Sequence, residues 1–287
     1  MNSINCAAPG VVMRPRTQFL RVLASSVEAA RMSLDQRVLI VGGSAQDEHI
    51  LRQVGFKHIV NSNLPTDMER MAAGESDLET QHLALDAEQL ELPSDSFDLV
   101  FASEVLHHCS SPHRALCEML RVSRRYVLFM EPNDSLAMAA LVRMRFSFPY
   151  ELPAVIDHDY RSGGVRDSQI PNFLYRWNRH EVFKTVSSYI PERIFSLHVY
   201  PYWDFSVTEE DLDLRKATRI GSITSAIGAG NFISLLRFAQ LFLNWTPPLR
   251  SQGNKFFCCI EKSPGLKPWM ARDGEEIVLN RQFGHQQ

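Results

Sequence analysis

The chain of 287 residues has only five cysteines: Cys6, Cys109, Cys117, Cys258 and Cys259. They are odd in number, lack C-x-x-C spacing and include an adjacent pair, which argues against a disulfide framework and a cysteine-based zinc site. A reducing, cytoplasmic setting is expected. No basic block is present either; 30 Lys and Arg against 33 Asp and Glu leave a formal charge of −3, spread along the sequence. With no cationic stripe to neutralise phosphates, nucleic acid is not an expected partner. Long apolar runs are missing too. The longest, "FISLLRFAQLFLNW" at 232–245, is too short for a bilayer and carries Arg237 in its middle, so stable membrane insertion is not expected. The first twenty residues lack the layout of a secretion signal. Neither G-x-G-x-x-G, nor a Gly-Lys-Ser/Thr phosphate loop, nor G-x-S-x-G occurs, which disfavours a dinucleotide fingerprint, a P-loop and a hydrolase nucleophile elbow.

What is there is an alternation of short apolar runs with helix-like segments. Phe19, Val22, Leu23 and Val27 share a face, which predicts a leading helix within 16–32. "RVLIVG" (37–42), "FKHIVNSN" (56–63), "HLALDA" (82–87), "FDLVFASEV" (97–105) and "RRYVLFMEP" (124–132) read as strands. Between them, 45–55 predicts a helix closed by Gly55, and 68–81 is helical or loose. Ser111 and Pro112 suit the cap and first residue of a helix that puts Ala115, Leu116, Met119 and Leu120 on one face. Continuous apolar strands separated by helices predict an α/β doubly wound, mostly parallel sheet with both faces covered. Its ligands belong at the carboxyl ends of the strands.

The second half is less regular. Residues 147–176 are rich in Pro, Tyr, Asp and Gly and read as a lid or acceptor loop. A helix is predicted over 178–190, with Val182, Phe183, Val186 and Tyr189 on one side. Strands are predicted at 193–205 and 254–262, too far apart for a hairpin, so 206–250 must hold a helical insertion. Its stretch 230–245 is apolar almost all round, which predicts a buried helix or a homo-oligomer contact, or else a wall for an apolar acceptor or a contact with a membrane surface, the last disfavoured by the lack of a lysine-rich polar face. The expected organisation is an N-terminal helical segment (1–34), a cofactor-binding half (35–146), the lid (147–176), the rest of the sheet (177–263) and a loose polar tail (264–287).

Residues 83–133 carry the most specific signal. Asp86–Ala87 closes the third strand, "LPSDSFDLV" (92–100) leads into the fourth, "SEVLHH" (103–108) follows it, and "EPN" (131–133) ends the fifth. In that order and spacing the region resembles the class I S-adenosylmethionine-dependent methyltransferases, over about residues 35–135. The resemblance implies a seven-stranded Rossmann-like sheet, S-adenosyl-L-methionine as cofactor and methyl transfer to an acceptor. It implies that Asp86 accepts the adenine amino group and the Ala87 N–H donates to a ring nitrogen. Gly42, Gly43 and Ser44 would form the turn beside the amino-acid end, Asn63 would meet the ribose, and Ser103 and Glu104 would flank the methyl group.

This sequence departs from the family pattern in two places. Ser44 stands where the family turn commonly has glycine, and a positive φ there would cost ~1–2 kcal/mol unless the turn runs differently. Asn63 stands where the family has an acid, and Asp47 or Glu48 could substitute. Together these changes predict weakened cofactor affinity. The function expected is O-methylation of a small molecule, a sugar or secondary metabolite. The second reading is a non-catalytic binding or regulatory protein on the same fold. His107 is the candidate base, with His158 of the lid motif "DHDY" (157–160) as another. No metal is expected, because adjacent His107 and His108 should point apart and no acid stands at ligand spacing. Glu131 reads as a structural cap for the helix after it.

Overall fold

The computed structural model describes residues 16–66, 80–214, 216 and 219–283. The strands are β1 (Arg37–Val41), β2 (His58–Asn63), β3 (Gln81–Ala84), β4 (Phe97–Ser103), β5 (Ser123–Pro132), β6 (Arg193–Tyr202) and β7 (Lys255–Leu266). They form one sheet in the order β3-β2-β1-β4-β5-β7-β6, parallel throughout except for β7, which runs antiparallel to both neighbours. Order reverses between β1 and β4, so a crevice opens above their carboxyl ends.

Both sheet faces are apolar, and successive residues of a strand serve opposite cores. Leu39, Val41, Val100, Ala102, Val127 and Phe129 belong to one core. Val38, Ile40, Leu99, Phe101, Tyr126 and Leu128 belong to the other. The first core is closed by α3 (Pro112–Val122), which buries the expected Ala115, Leu116, Met119 and Leu120, and by α6 (Arg179–Tyr189). The second is closed by α1 (Thr17–Ala29) and α2 (Ala45–Val54). Gly55 ends α2 at φ 112°, a left-handed cap that glycine adopts without steric cost.

Several expectations are corrected. In α6 only Val182 and Val186 are buried, while Phe183 is exposed. The lid region is partly ordered, with α5 (Leu152–Asp157) and a 3₁₀ turn at Val165–Asp167; α4 (Leu136–Arg143) precedes it. The tail is not loose: β7 runs on to Leu266, and β8 (Met270–Asp273) pairs with β9 (Glu276–Leu279) as a separate hairpin. The insertion is helical as expected, with α7 (Glu209–Leu214), α8 (Arg219–Ile227), α9 (Ala229–Trp245) and α10 (Pro247–Arg250). In α9, however, only Phe232 is buried, so the helix is not enclosed. Among the described residues no single helix is long and apolar enough to cross a membrane; α8 and α9 reach that length and composition only as a pair bent by 110°. Most of the stretch 68–81, expected helical or loose, lies outside the described residues.

Candidate active site

The turn after β1 explains its own glycines. Gly42 has φ +64°, and a Cβ on it would stand 2.5 Å from a methyl of Val105. A Cβ on Gly43 would stand 2.3 Å from Cγ2 of Ile40 and 2.5 Å from Oδ1 of Asn61. Ser44 has φ −91°, so the feared strain is absent. Its hydroxyl accepts the Asp47 N–H while Asp47 accepts the Ser44 N–H at 2.9 Å, a reciprocal cap that starts α2. Ser44 thus belongs to the helix cap, and the left-handed turn is made one step earlier. Gly43→Ala is expected to destabilise the fold by about 1–3 kcal/mol through overpacking, read as a lower melting temperature; an unchanged melt would show that Ile40 can move aside.

A cavity of about 510 Å³ lies over this turn and is lined by Gly42, Ser44, Asn63, Asp86, Ala87, Ser103 and Glu104. Seven of the eight residues expected at the cofactor therefore converge on it, and Gly43 supports them from below. Asn63 takes the Leu64 N–H on its Oδ1 at 3.1 Å and donates to the Gly43 carbonyl. Of the two acids considered as stand-ins, Asp47 lines the cavity but is engaged by Ser44 and Arg16. Glu48 is buried and takes an N–H of Asn61 at 2.6 Å. Asp86 receives the Glu88 N–H on one oxygen at 2.9 Å and the guanidinium of Arg166 on the other at 2.6 Å. Each carboxylate oxygen has a second lone pair, so Asp86 can still accept.

Two side chains that the sequence did not point to shape this site. Arg16 reaches Asp47 and Ser103, each at 2.9 Å, and comes within 3.6 Å of Glu104. Nothing in its local sequence marks it, because only the folding of α1 against α2 brings it there. Arg166, from the 3₁₀ turn of the lid, binds Asp86 and Glu88 and closes the far end. Glu104 adopts φ 58° and is paired with Lys255 of β7. Burial alone would raise its pKa, but Lys255 and Arg16 outweigh that and hold it at about 2.

The 3₁₀ turn Leu106–His108 carries both histidines. Glu131 accepts the N–H groups of Val105 at 2.8 Å and Leu106 at 2.7 Å, and meets His107 Nδ1 at 2.5 Å. It is therefore the cap of this turn, not of the helix that follows it in sequence. His107 is 3% exposed, and its Nε2 meets Glu151 at 3.2 Å. Burial alone would lower its pKa; the two carboxylates prevail and push it up to about 10. A group protonated at neutral pH on both nitrogens cannot take a proton, which corrects the expectation that His107 is the base. His108 Nε2 lies 3.2 Å from the same carboxylate, and the two rings are 4.6 Å apart. The histidines converge rather than diverge, and a group of metal-ligand type forms from His107, His108 and Glu151, whose ligand atoms lie within 4.8 Å. The acid was invisible in the local spacing because it comes from the lid.

His108 lines the first cavity, whereas Glu151 lines a second one of about 580 Å³. Arg16 and Glu104 line both. The second cavity has an apolar wall that includes Met138, Phe146, Trp203 and Phe232. His158 lines only the first cavity, with its Nδ1 against the Ala154 carbonyl at 2.7 Å. His113 and Cys109 stand apart from the cluster. His113 bonds Thr185 and Tyr175, and the Cys109 thiol donates to the Val105 carbonyl.

Residues 40–129 match a family model described as a methyltransferase domain. That match covers the β1–β5 half of the sheet and agrees with the resemblance read from residues 83–133. The cavity suits the cofactor that this resemblance implies, S-adenosylmethionine, with an acceptor carboxylate at Asp86, a cation at Arg16 and two glycines in the turn after β1. No curated protein matches the chain. Among solved structures it is similar to a chain of the complex between the Trm112 methyltransferase activator and its partner from Haloferax volcanii. That match has 13% identity, covers 88% of this chain and 98% of that one, and gives a TM-score of 0.48. A phosphoethanolamine N-methyltransferase of Haemonchus contortus shows 15% identity over 85% and 52% of the chains, with a TM-score of 0.46. An S-adenosylmethionine-dependent methyltransferase of Mesorhizobium loti shows 13% identity over 85% and 100%, with a TM-score of 0.44.

Proposed function

We propose that the protein is an S-adenosylmethionine-dependent methyltransferase that O-methylates a small molecule with a hydroxyl head and an apolar body, a secondary metabolite rather than a bare sugar. The observation that carries this reading is the contact between His108, on the first cavity, and Glu151, on the second, at 3.2 Å. It puts a proton-accepting pair on the boundary that a methyl group would cross. When bound, S-adenosylmethionine supplies an electrophilic sulfonium methyl group. Asp86 and the Ala87 N–H hold the adenine in this scheme, Asn63 holds the ribose, and Gly42, Gly43 and Ser44 bound the amino-acid end. Arg16 pairs with the cofactor carboxylate, and Ser103 and Glu104 flank the methyl position.

His108 donates Nε2–H to Glu151, which leaves Nδ1 free to take the proton of the acceptor hydroxyl as the C–O bond forms. His107, protonated, holds Glu151 in place, and Glu131 holds His107. His158, whose Nδ1 is held by the Ala154 carbonyl at 2.7 Å, is given no such role. Residues 147–176 serve as a lid that contributes Glu151 on one side and Arg166 on the other. The apolar wall excludes water and aligns the acceptor. The free cysteines Cys109, Cys117, Cys258 and Cys259 favour a reducing cytoplasmic location.

Calorimetry with S-adenosylhomocysteine is the direct test. Micromolar binding is expected, and Asp86→Ala should weaken it at least about tenfold, because a charged hydrogen-bond acceptor is lost. Turnover of methyl-labelled cofactor against hydroxylated acceptors with apolar bodies should follow. Turnover confined to amines would overturn the O-methylation reading, and absence of cofactor binding would remove the assignment of the cavity.

A further inference from the structure

We infer that α8, α9 and α10 form a docking face for an anionic lipid bilayer, on which the protein rests without crossing it. α9 has two apolar faces. Its inner face is fixed to the protein: Phe232 and Leu236 wall the second cavity, Asn244 bonds both backbone groups of Trp203 at 2.8 Å, and Gln240 takes the Phe205 N–H at 2.6 Å. A helix held this way along one side cannot be surrounded by lipid. Its outer face presents Leu235, Phe238, Leu241, Phe242 and Trp245 to solvent, with Phe238 72% and Trp245 83% exposed. Leu249 of α10 is exposed as well. A contiguous apolar surface of this kind marks an interaction site, and tryptophan at a helix end suits the headgroup level.

Charge selects the occupant. Lys216 and Lys255 are paired with Asp213 and Glu104, and α7 beside the patch is acidic, but from Arg219 to Arg250 the sequence has no aspartate or glutamate and three arginines, Arg219, Arg237 and Arg250. Arg219, Arg237 and Arg250 are exposed and, among the described residues, are not held by any carboxylate. Arg237 lies one turn before Leu241 and so flanks the apolar stripe. A locally cationic, apolar face on a protein of net charge −3 is complementary to anionic headgroups, whereas a second copy would bring like charges together.

The test is co-flotation of the full chain with vesicles of phosphatidylcholine alone and of phosphatidylcholine mixed with phosphatidylglycerol. The bound fraction is expected to be at least about tenfold higher on the anionic vesicles. It should fall to the neutral-vesicle level in Arg237→Glu, Phe238→Asp and Trp245→Asp, each of which keeps the wild-type affinity for S-adenosylhomocysteine. Equal flotation of the variants, or no flotation of the wild type, would overturn the inference. So would a wild-type dimer in light scattering that Phe238→Asp converts to monomers, which would make a second copy the occupant.

Discussion

Glu131→Ala is expected to lower the stability of the fold by about 3–5 kcal/mol, the scale for breaking a buried ion pair from one side. In a chain of this size that corresponds to a melting temperature lower by about 5–8 °C. Glu131 is fully buried and serves three donors at once, the N–H groups of Val105 and Leu106 and the His107 imidazolium. Removing it leaves all three without that partner in a place water does not reach. The same pair makes stability depend on pH in a defined sense. Because the folded-state pKa of His107 is raised from 6.5 to about 10, its contribution is complete below the unfolded value and is lost as pH rises through about 10. Glu104 behaves oppositely: its pKa is lowered from 4.5 to about 2, so its contribution is present above 4.5 and is lost as pH falls through about 2. Melting followed between pH 6 and 10 should therefore show a decline that is absent in His107→Gln. In a double-mutant cycle the cost of Glu131→Ala should shrink once His107 has been replaced. A flat pH profile with additive costs would mean that His107 is neutral in the folded protein.

His108→Ala is expected to lower kcat for a hydroxyl acceptor by ~10²–10⁴, the usual range for a general base. The affinity for S-adenosylhomocysteine should stay within about threefold of wild type, because His108 contributes to proton transfer and not to the cofactor's polar contacts. Glu151→Gln should act on kcat in the same direction and less strongly, since it keeps a partner for His108 Nε2 but weakens the orienting charge. Equal losses in kcat and in cofactor affinity would mean that His108 only shapes the cavity. An unchanged kcat would remove the base assignment.

The fold was readable in the linear sequence because its determinants are local. Apolar runs such as Val38–Val41 and Leu99–Ala102 need only neighbouring residues to declare strands buried on both faces. Gly42 and Gly43 declared a turn, and Asp86–Ala87 and Ser103–Glu104 stand at strand ends, where the parallel topology collects ligand-binding groups without further instruction.

What only tertiary structure decided are the pairings across long sequence separations. Arg16 meets Ser103, Lys255 meets Glu104, Arg166 meets Asp86, and Glu151 meets both histidines, each across tens of residues or more. No periodicity encodes such contacts, because they depend on where the lid and the first and last elements come to rest on the sheet. The protonation of His107 belongs here too, since it follows from two carboxylates converging in a buried place and not from the neighbours of residue 107 in the chain. The same limit applied to α9: its composition announced an apolar helix on every side, but only its anchorage through Gln240 and Asn244 determined which side remained in solvent.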